Sequence, residues 1–186
     1  MPTGTANWLT WANLLTCLRL GLVPATILAI LFNDWGLAFS LFWIAVVSDL
    51  ADGILARALD QQSSLGGLLD HSTDAFYVAT TCWALAQQDV LTPFLAPLIL
   101  LSFAQYMLDS NALAGQQLRA SKLGRYNGIC YFVLAGVAVG SAFLEPYIGA
   151  VAYIAVLVPY LAWLLVLSTL ISMADRAYTL YLTKRP

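Results

Sequence analysis

The chain has 186 residues, 61% of them hydrophobic and only 10% charged, with a mean hydropathy of +0.79. A soluble domain carries roughly a quarter charged residues, so this composition excludes an ordinary soluble fold and points to a protein embedded in lipid. The net charge of −2, with no basic tract or basic–aromatic stripe, excludes a nucleic-acid-binding surface.

Six apolar segments follow in chain order: Trp11–Phe32, Gly36–Leu59, Gly67–Gln87, Thr92–Asn111, Gly124–Leu144 and Gly149–Ala174. Each is close to the roughly 20 residues a bilayer span needs. Backbone in hydrocarbon must satisfy its own hydrogen bonds, so each segment reads as a helix. The expected fold is all-α: a polytopic membrane protein of six transmembrane helices, forming a single domain over residues 1–186. The first segment lacks the charged start and cleavage site of a signal peptide and reads as a retained span. If the helices alternate, Arg57, Arg119, Lys122, Arg125, Arg176, Lys184 and Arg185 collect on one side, while the opposite loops hold Asp34, Asp89 and Glu145. The positive-inside rule then puts both termini in the cytoplasm. Cys17, Cys82 and Cys130 fall in apolar runs without CxxC spacing and read as core filling.

Charges inside spans are costly, so intramembrane carboxylates are functional candidates. Asp49 and Asp52 lie three apart on the second segment, and Asp70 and Asp74 four apart on the third, so each pair shares a helix face. In an antiparallel hairpin Asp49 sits level with Asp74, Asp52 with Asp70, and Arg57 with Gly66. Four carboxylates then converge in the cytoplasmic half of the bundle. Left without counter-charge in low dielectric they would be strongly unfavourable. Oxygen-only ligation suits a hard divalent cation such as Mg²⁺ or Mn²⁺. Gly53 and Gly66 would let a large ligand approach the backbone closely.

Written out, the hairpin from 49 to 74 is Asp49-x2-Asp52-Gly53-x2-Ala56-Arg57-x8-Gly66-x3-Asp70-x3-Asp74, eight fixed residues across 26 positions. At every one of them it resembles the motif of the CDP-alcohol phosphotransferase (CDP-alcohol phosphatidyltransferase) family. Asn13-Leu14-Leu15-Thr16 followed by Arg19 is similar to the pattern that opens many members. The resemblance implies two divalent cations, Mg²⁺ or Mn²⁺, on Asp49, Asp52, Asp70 and Asp74, with Asp74 also the general base. It places Gly53, Ala56, Arg57 and Gly66 against the CDP moiety of a CDP-linked donor. Asn13, Thr16 and Arg19 either contact the donor or serve as helix-packing polar groups and a snorkelling arginine. The implied reaction is metal-dependent transfer of a substituted phosphoryl group to an alcohol with release of CMP, in phospholipid synthesis. A homodimer in a bacterial inner membrane, with the active site facing the cytoplasm, is a further expectation of the resemblance.

The acceptor is less legible. Arg119, Lys122 and Arg125 lie on the acid side, where they either receive an acceptor phosphate or flank the membrane as positive-inside charges. The chain is similar in size to bacterial phosphatidylglycerophosphate synthases, which implies CDP-diacylglycerol as donor and glycerol 3-phosphate as acceptor. Asp70-His71-x2-Asp74, in contrast, resembles choline and ethanolamine phosphotransferases, which use a CDP-amino-alcohol and diacylglycerol. His71 is the sole histidine; it either assists proton removal or makes a polar contact beside the acids. Gln105 and Asp109, one turn apart, either line the far wall of the pocket or form a polar helix end. A channel or transporter would need polar residues through both leaflets, and the outer halves here are apolar.

Overall fold

The computed structural model describes residues 11–58, 64–109 and 122–183. They form six α-helices: α1 (Trp11–Leu31), α2 (Trp35–Ala58), α3 (Ser64–Gln87), α4 (Leu95–Asp109), α5 (Lys122–Leu144) and α6 (Ala152–Thr183), with a single 3-10 turn at Gly149–Val151 before the last. No strand occurs among the described residues. Every apolar segment of the sequence is thus a helix. The largest change is at the end, where α6 continues well past Ala174. The stretch Asp175-Arg176-Ala177-Tyr178-Thr179 holds neither Gly nor Pro to stop it.

Four helices are long and apolar enough to cross a membrane, through Leu14–Leu31, Trp35–Ile54, Lys122–Leu144 and Gly149–Thr179. Helix α3 matches α2 in length at 24 residues, but its composition is diluted by Asp70, His71, Asp74 and several hydroxyl residues. Helix α4 is apolar with only 15 residues, about 22 Å at 1.5 Å per residue.

The turns are built by the polar punctuation. Asn33 and Asp89 adopt left-handed backbone (φ 59° and 57°), a conformation that Asn and Asp tolerate better than most residues. Asp34 then caps α2, its Oδ1 accepting from the Leu37 N–H at 3.1 Å.

Helix α1 lies against α2 and α3, α2 also against α5, α3 against α4 and α5, and α6 against α4 and α5. Lipid supplies little hydrophobic drive between helices, so close approach of small residues carries the packing. Ala38, Ala45, Ala79, Ala135, Ala138 and Ala162 accordingly fill the core. At Gly136 an added Cβ would stand 2.9 Å from Phe42 Cε1, which shows how tightly α5 meets α2. Hydroxyl pairs tie other helices: Thr26 with Tyr77 (3.2 Å) joins α1 to α3, and Tyr131 with Thr169 (2.5 Å) joins α5 to α6. All three cysteines are free, but only Cys82 fills the core; Cys17 and Cys130 are exposed. The core-filling expectation fails for those two because they stand on outward-facing helix positions, where a thiol meets lipid as easily as Leu does.

Candidate active site

The four aspartates converge around a side chain from a third helix. Arg19 is the ninth residue of α1 and fully buried, with 0% exposure. Its Nη2 meets both acids of α2, Asp49 Oδ1 at 3.1 Å and Asp52 Oδ2 at 2.6 Å. Its Nη1 meets both acids of α3, Asp70 Oδ1 at 3.0 Å and Asp74 Oδ1. One planar guanidinium thus clamps the hairpin, one terminal nitrogen to each helix. The spacing explains this: i, i+3 on α2 and i, i+4 on α3 put each pair on the face turned to α1. Thr16, one turn before Arg19, adds a hydroxyl 3.5 Å from Asp52 Oδ2.

The snorkelling alternative for Arg19 is therefore corrected. The side chain runs inward because four carboxylates offer what the distant headgroups would otherwise supply. Sequence reasoning ranked this residue too low. The signal was present: Arg19 lies deep inside the first apolar segment, and intramembrane charges pair with one another.

The acid set also has metal-binding geometry. Asp49, Asp52 and Asp70 each offer an oxygen, all within 4.8 Å of one another, and Asp70, His71 and Asp74 form a second such group. Asp70 belongs to both. Carboxylate oxygens at this spacing fit hard divalent cations, and one arginine leaves most of the acids' charge uncompensated. His71 is exposed at the edge of the second group. Gly53 follows Asp52 on α2 and Gly66 precedes Asp70 by one turn on α3. The side chains of Asn13, Ala56, Arg57 and Asp109, and the whole of Arg119, lie outside the described residues.

Lys122 and Arg125 are exposed, three apart on the first turn of α5. Gln105 does not face open space: its amide donates to the Met173 carbonyl at 3.0 Å and ties α4 to α6. Nearby, the Arg176 guanidinium lies 4.8 Å from the centre of the Tyr106 ring. Asn127 is buried and accepts a 2.6 Å hydrogen bond from Ser168.

A profile of the CDP-alcohol phosphatidyltransferase family matches residues 9–170. The chain belongs to this family. Several relatives are similar over part of the chain. A cardiolipin synthase (CMP-forming) of Streptomyces coelicolor is 38% identical over 104 residues, 53% of this chain and 48% of that one. A Mycobacterium tuberculosis protein, provisionally named a cardiolipin synthase, is 45% identical over 75 residues, 39% of this chain and 35% of its own. A CDP-diacylglycerol–glycerol-3-phosphate 3-phosphatidyltransferase of Cereibacter sphaeroides is 33% identical over 109 residues, 55% of this chain and 48% of its own. These matches span about a third to a half of the length of each relative. Family membership accounts for the conjunction seen here, an acidic hairpin motif on two helices within an otherwise apolar bundle.

Proposed function

We propose that this chain transfers a phosphatidyl group from CDP-diacylglycerol to the hydroxyl of a glycerol-bearing acceptor, glycerol 3-phosphate first, and releases CMP. The observation that carries the reading is the convergence of Asp49, Asp52, Asp70 and Asp74 from two helices onto one point, in a chain of this family. Asp49, Asp52, Asp70 and Asp74 hold two divalent cations, Mg²⁺ or Mn²⁺, which when bound screen the donor pyrophosphate and stabilise the departing CMP. Asp74 accepts the proton of the acceptor hydroxyl. That oxygen forms its bond to the lipid-bearing phosphorus as the bond to the CMP oxygen breaks. Gly53, Ala56, Arg57 and Gly66 seat the CDP moiety, and positioning supplies much of the rate. Lys122 and Arg125, with Arg119, receive the acceptor phosphate.

The setting we propose is one membrane domain of six crossings in a bacterial inner membrane, with both termini and the acid cluster at the cytoplasmic side, working as a homodimer. A reporter fused after Pro186 that is active only on the far side would overturn this topology. A second reading, transfer onto the glycerol of a phosphatidylglycerol headgroup, is favoured by the names of the Streptomyces and Mycobacterium relatives.

One experiment separates these readings. Purified protein is given CDP-diacylglycerol and Mg²⁺ or Mn²⁺ with glycerol 3-phosphate, phosphatidylglycerol, inositol or serine; a parallel arm offers CDP-choline with diacylglycerol. CMP release is followed and the lipid identified by mass spectrometry. Metal-dependent CMP release with glycerol 3-phosphate is the expected result. Release in the CDP-choline arm alone overturns the donor, and no release in any arm overturns the reading.

A further inference from the structure

The acid cluster contains a cation of the chain's own. We propose that Arg19 is the resident counter-ion of the aspartate cluster, and that a divalent cation binding there competes with its guanidinium for the same carboxylates. The inference rests on the metal reading given above, and concerns a role for Arg19 that differs from binding the donor.

Three observations carry it. First, Arg19 contacts one oxygen of each of the four aspartates through its two terminal nitrogens, so a cation held by any two of these acids shares them with the guanidinium. Second, Asp49, Asp52 and Asp70, which bring carboxylate oxygens within 4.8 Å of one another, are all partners of Arg19; guanidinium and cation draw on the same small set of acids. Third, Arg19 Nε is buried and makes no hydrogen bond among the described residues. Once the terminal nitrogens lose their acids, nothing at Nε anchors the group in place. A buried cation paired with several acids is strongly retained, so the metal-free cluster is a competitor that every entering ion must overcome. The arginine thereby sets the affinity of the metal site and keeps its walls together before metal arrives. It acts on the reaction through that site, as a positioning residue.

The test is Mn²⁺ binding, read as free Mn²⁺ by electron paramagnetic resonance, on the full chain in detergent. No substrate is present. Arg19→Gln removes the internal cation while keeping a polar, though shorter, side chain. It is expected to bind Mn²⁺ at least tenfold more tightly than wild type, to melt at lower temperature in chelator, and to gain more thermal stability from Mn²⁺. Arg19→Lys, with one charged nitrogen instead of two, is expected to fall between them. Affinity in Arg19→Gln equal to or weaker than wild type overturns the proposal, because Arg19 then supports the metal site or leaves it unaffected. If Arg19→Gln is not recovered in chelator, it is purified in Mn²⁺ and back-titrated with chelator. Failure to recover it with Mn²⁺ also overturns the proposal, since a divalent cation would then not replace the guanidinium. A wild-type protein that binds no Mn²⁺ removes the metal reading itself, an outcome distinct from wild-type binding that Arg19→Gln leaves unchanged.

Discussion

Asp70 meets three like charges in the acid cluster, because its oxygens are grouped within 4.8 Å of those of Asp49 and Asp52 and also of Asp74. At an effective dielectric near 20, two like charges about 5 Å apart repel by roughly 3 kcal/mol, so three such neighbours cost on the order of 10 kcal/mol. Against this stands one attraction, to Arg19 Nη1 at 3.0 Å, worth about 5–6 kcal/mol on the same scale. Repulsion wins. The Asp70 side chain retains 27% exposure, and solvent there screens a large share of both contributions. Asp70→Asn keeps the shape and removes the charge, and should stabilise the metal-free protein by about 1–3 kcal/mol after that discount. For a chain of this size the melting temperature in chelator should rise by about 2–10 °C. Metal at a hundredfold excess over its dissociation constant stabilises a protein by roughly 2.7 kcal/mol, and Asp70→Asn should lose most of that increment along with CMP release. Thermal unfolding in detergent, with EDTA and then Mn²⁺, reads both effects. A lower melting temperature in EDTA than wild type would refute the reasoning, for Asp70 would then be a net stabilising partner of Arg19.

Three further outcomes are expected. Asp74→Asn removes the proposed base and should lower CMP release by about 10²–10⁴-fold while donor binding persists; activity within tenfold of wild type would take Asp74 out of that role. Chelation should abolish CMP release and re-addition of Mn²⁺ restore it, whereas turnover that survives exhaustive EDTA treatment would contradict metal dependence. Gly136→Ala gains roughly 1 kcal/mol of helix propensity, yet drives a Cβ to 2.9 Å from Phe42, an overpacking cost of about 1–3 kcal/mol. Phe42 is buried and ringed by Trp43 and Tyr77, so destabilisation should win. Gly128→Ala, with nothing within 4 Å of the added Cβ, should be neutral or stabilising, and the two melting temperatures side by side check the argument.

Much of this molecule was legible in the sequence because the bilayer allows few choices. Apolar runs of span length had to be helices, and all six are. The periodicity of Asp49, Asp52, Asp70 and Asp74 specified shared faces, and the hairpin turned those faces together. Helix ends were harder to read: α6 runs on past Ala174 because continuing costs less than stopping where no breaker intervenes. The aspartate partners of Arg19 were harder still. A hairpin argument pairs neighbours in the chain, and the partner came from α1, more than thirty residues away from each acid it binds except Asp49 at thirty. The partner of Gln105 was hidden for a related reason, since it is a backbone carbonyl of α6 that no side-chain pattern announces.

Burial of Arg19 among the aspartates has a consequence for how the chain enters the membrane. A lone arginine or aspartate near the middle of an inserting helix costs on the order of 2.5–3.5 kcal/mol. Helix α1 must bear that charge while the ribosome is still making the hairpin that neutralises it. The hairpin in turn brings four acids that α1 engages. Each of the three helices therefore carries a charge cost that falls when α1 meets the hairpin. Their partition into the bilayer is expected to be cooperative, favouring the three together over any one of them. Biogenesis would then check the acid cluster for its counter-charge before the protein is ever asked to turn over.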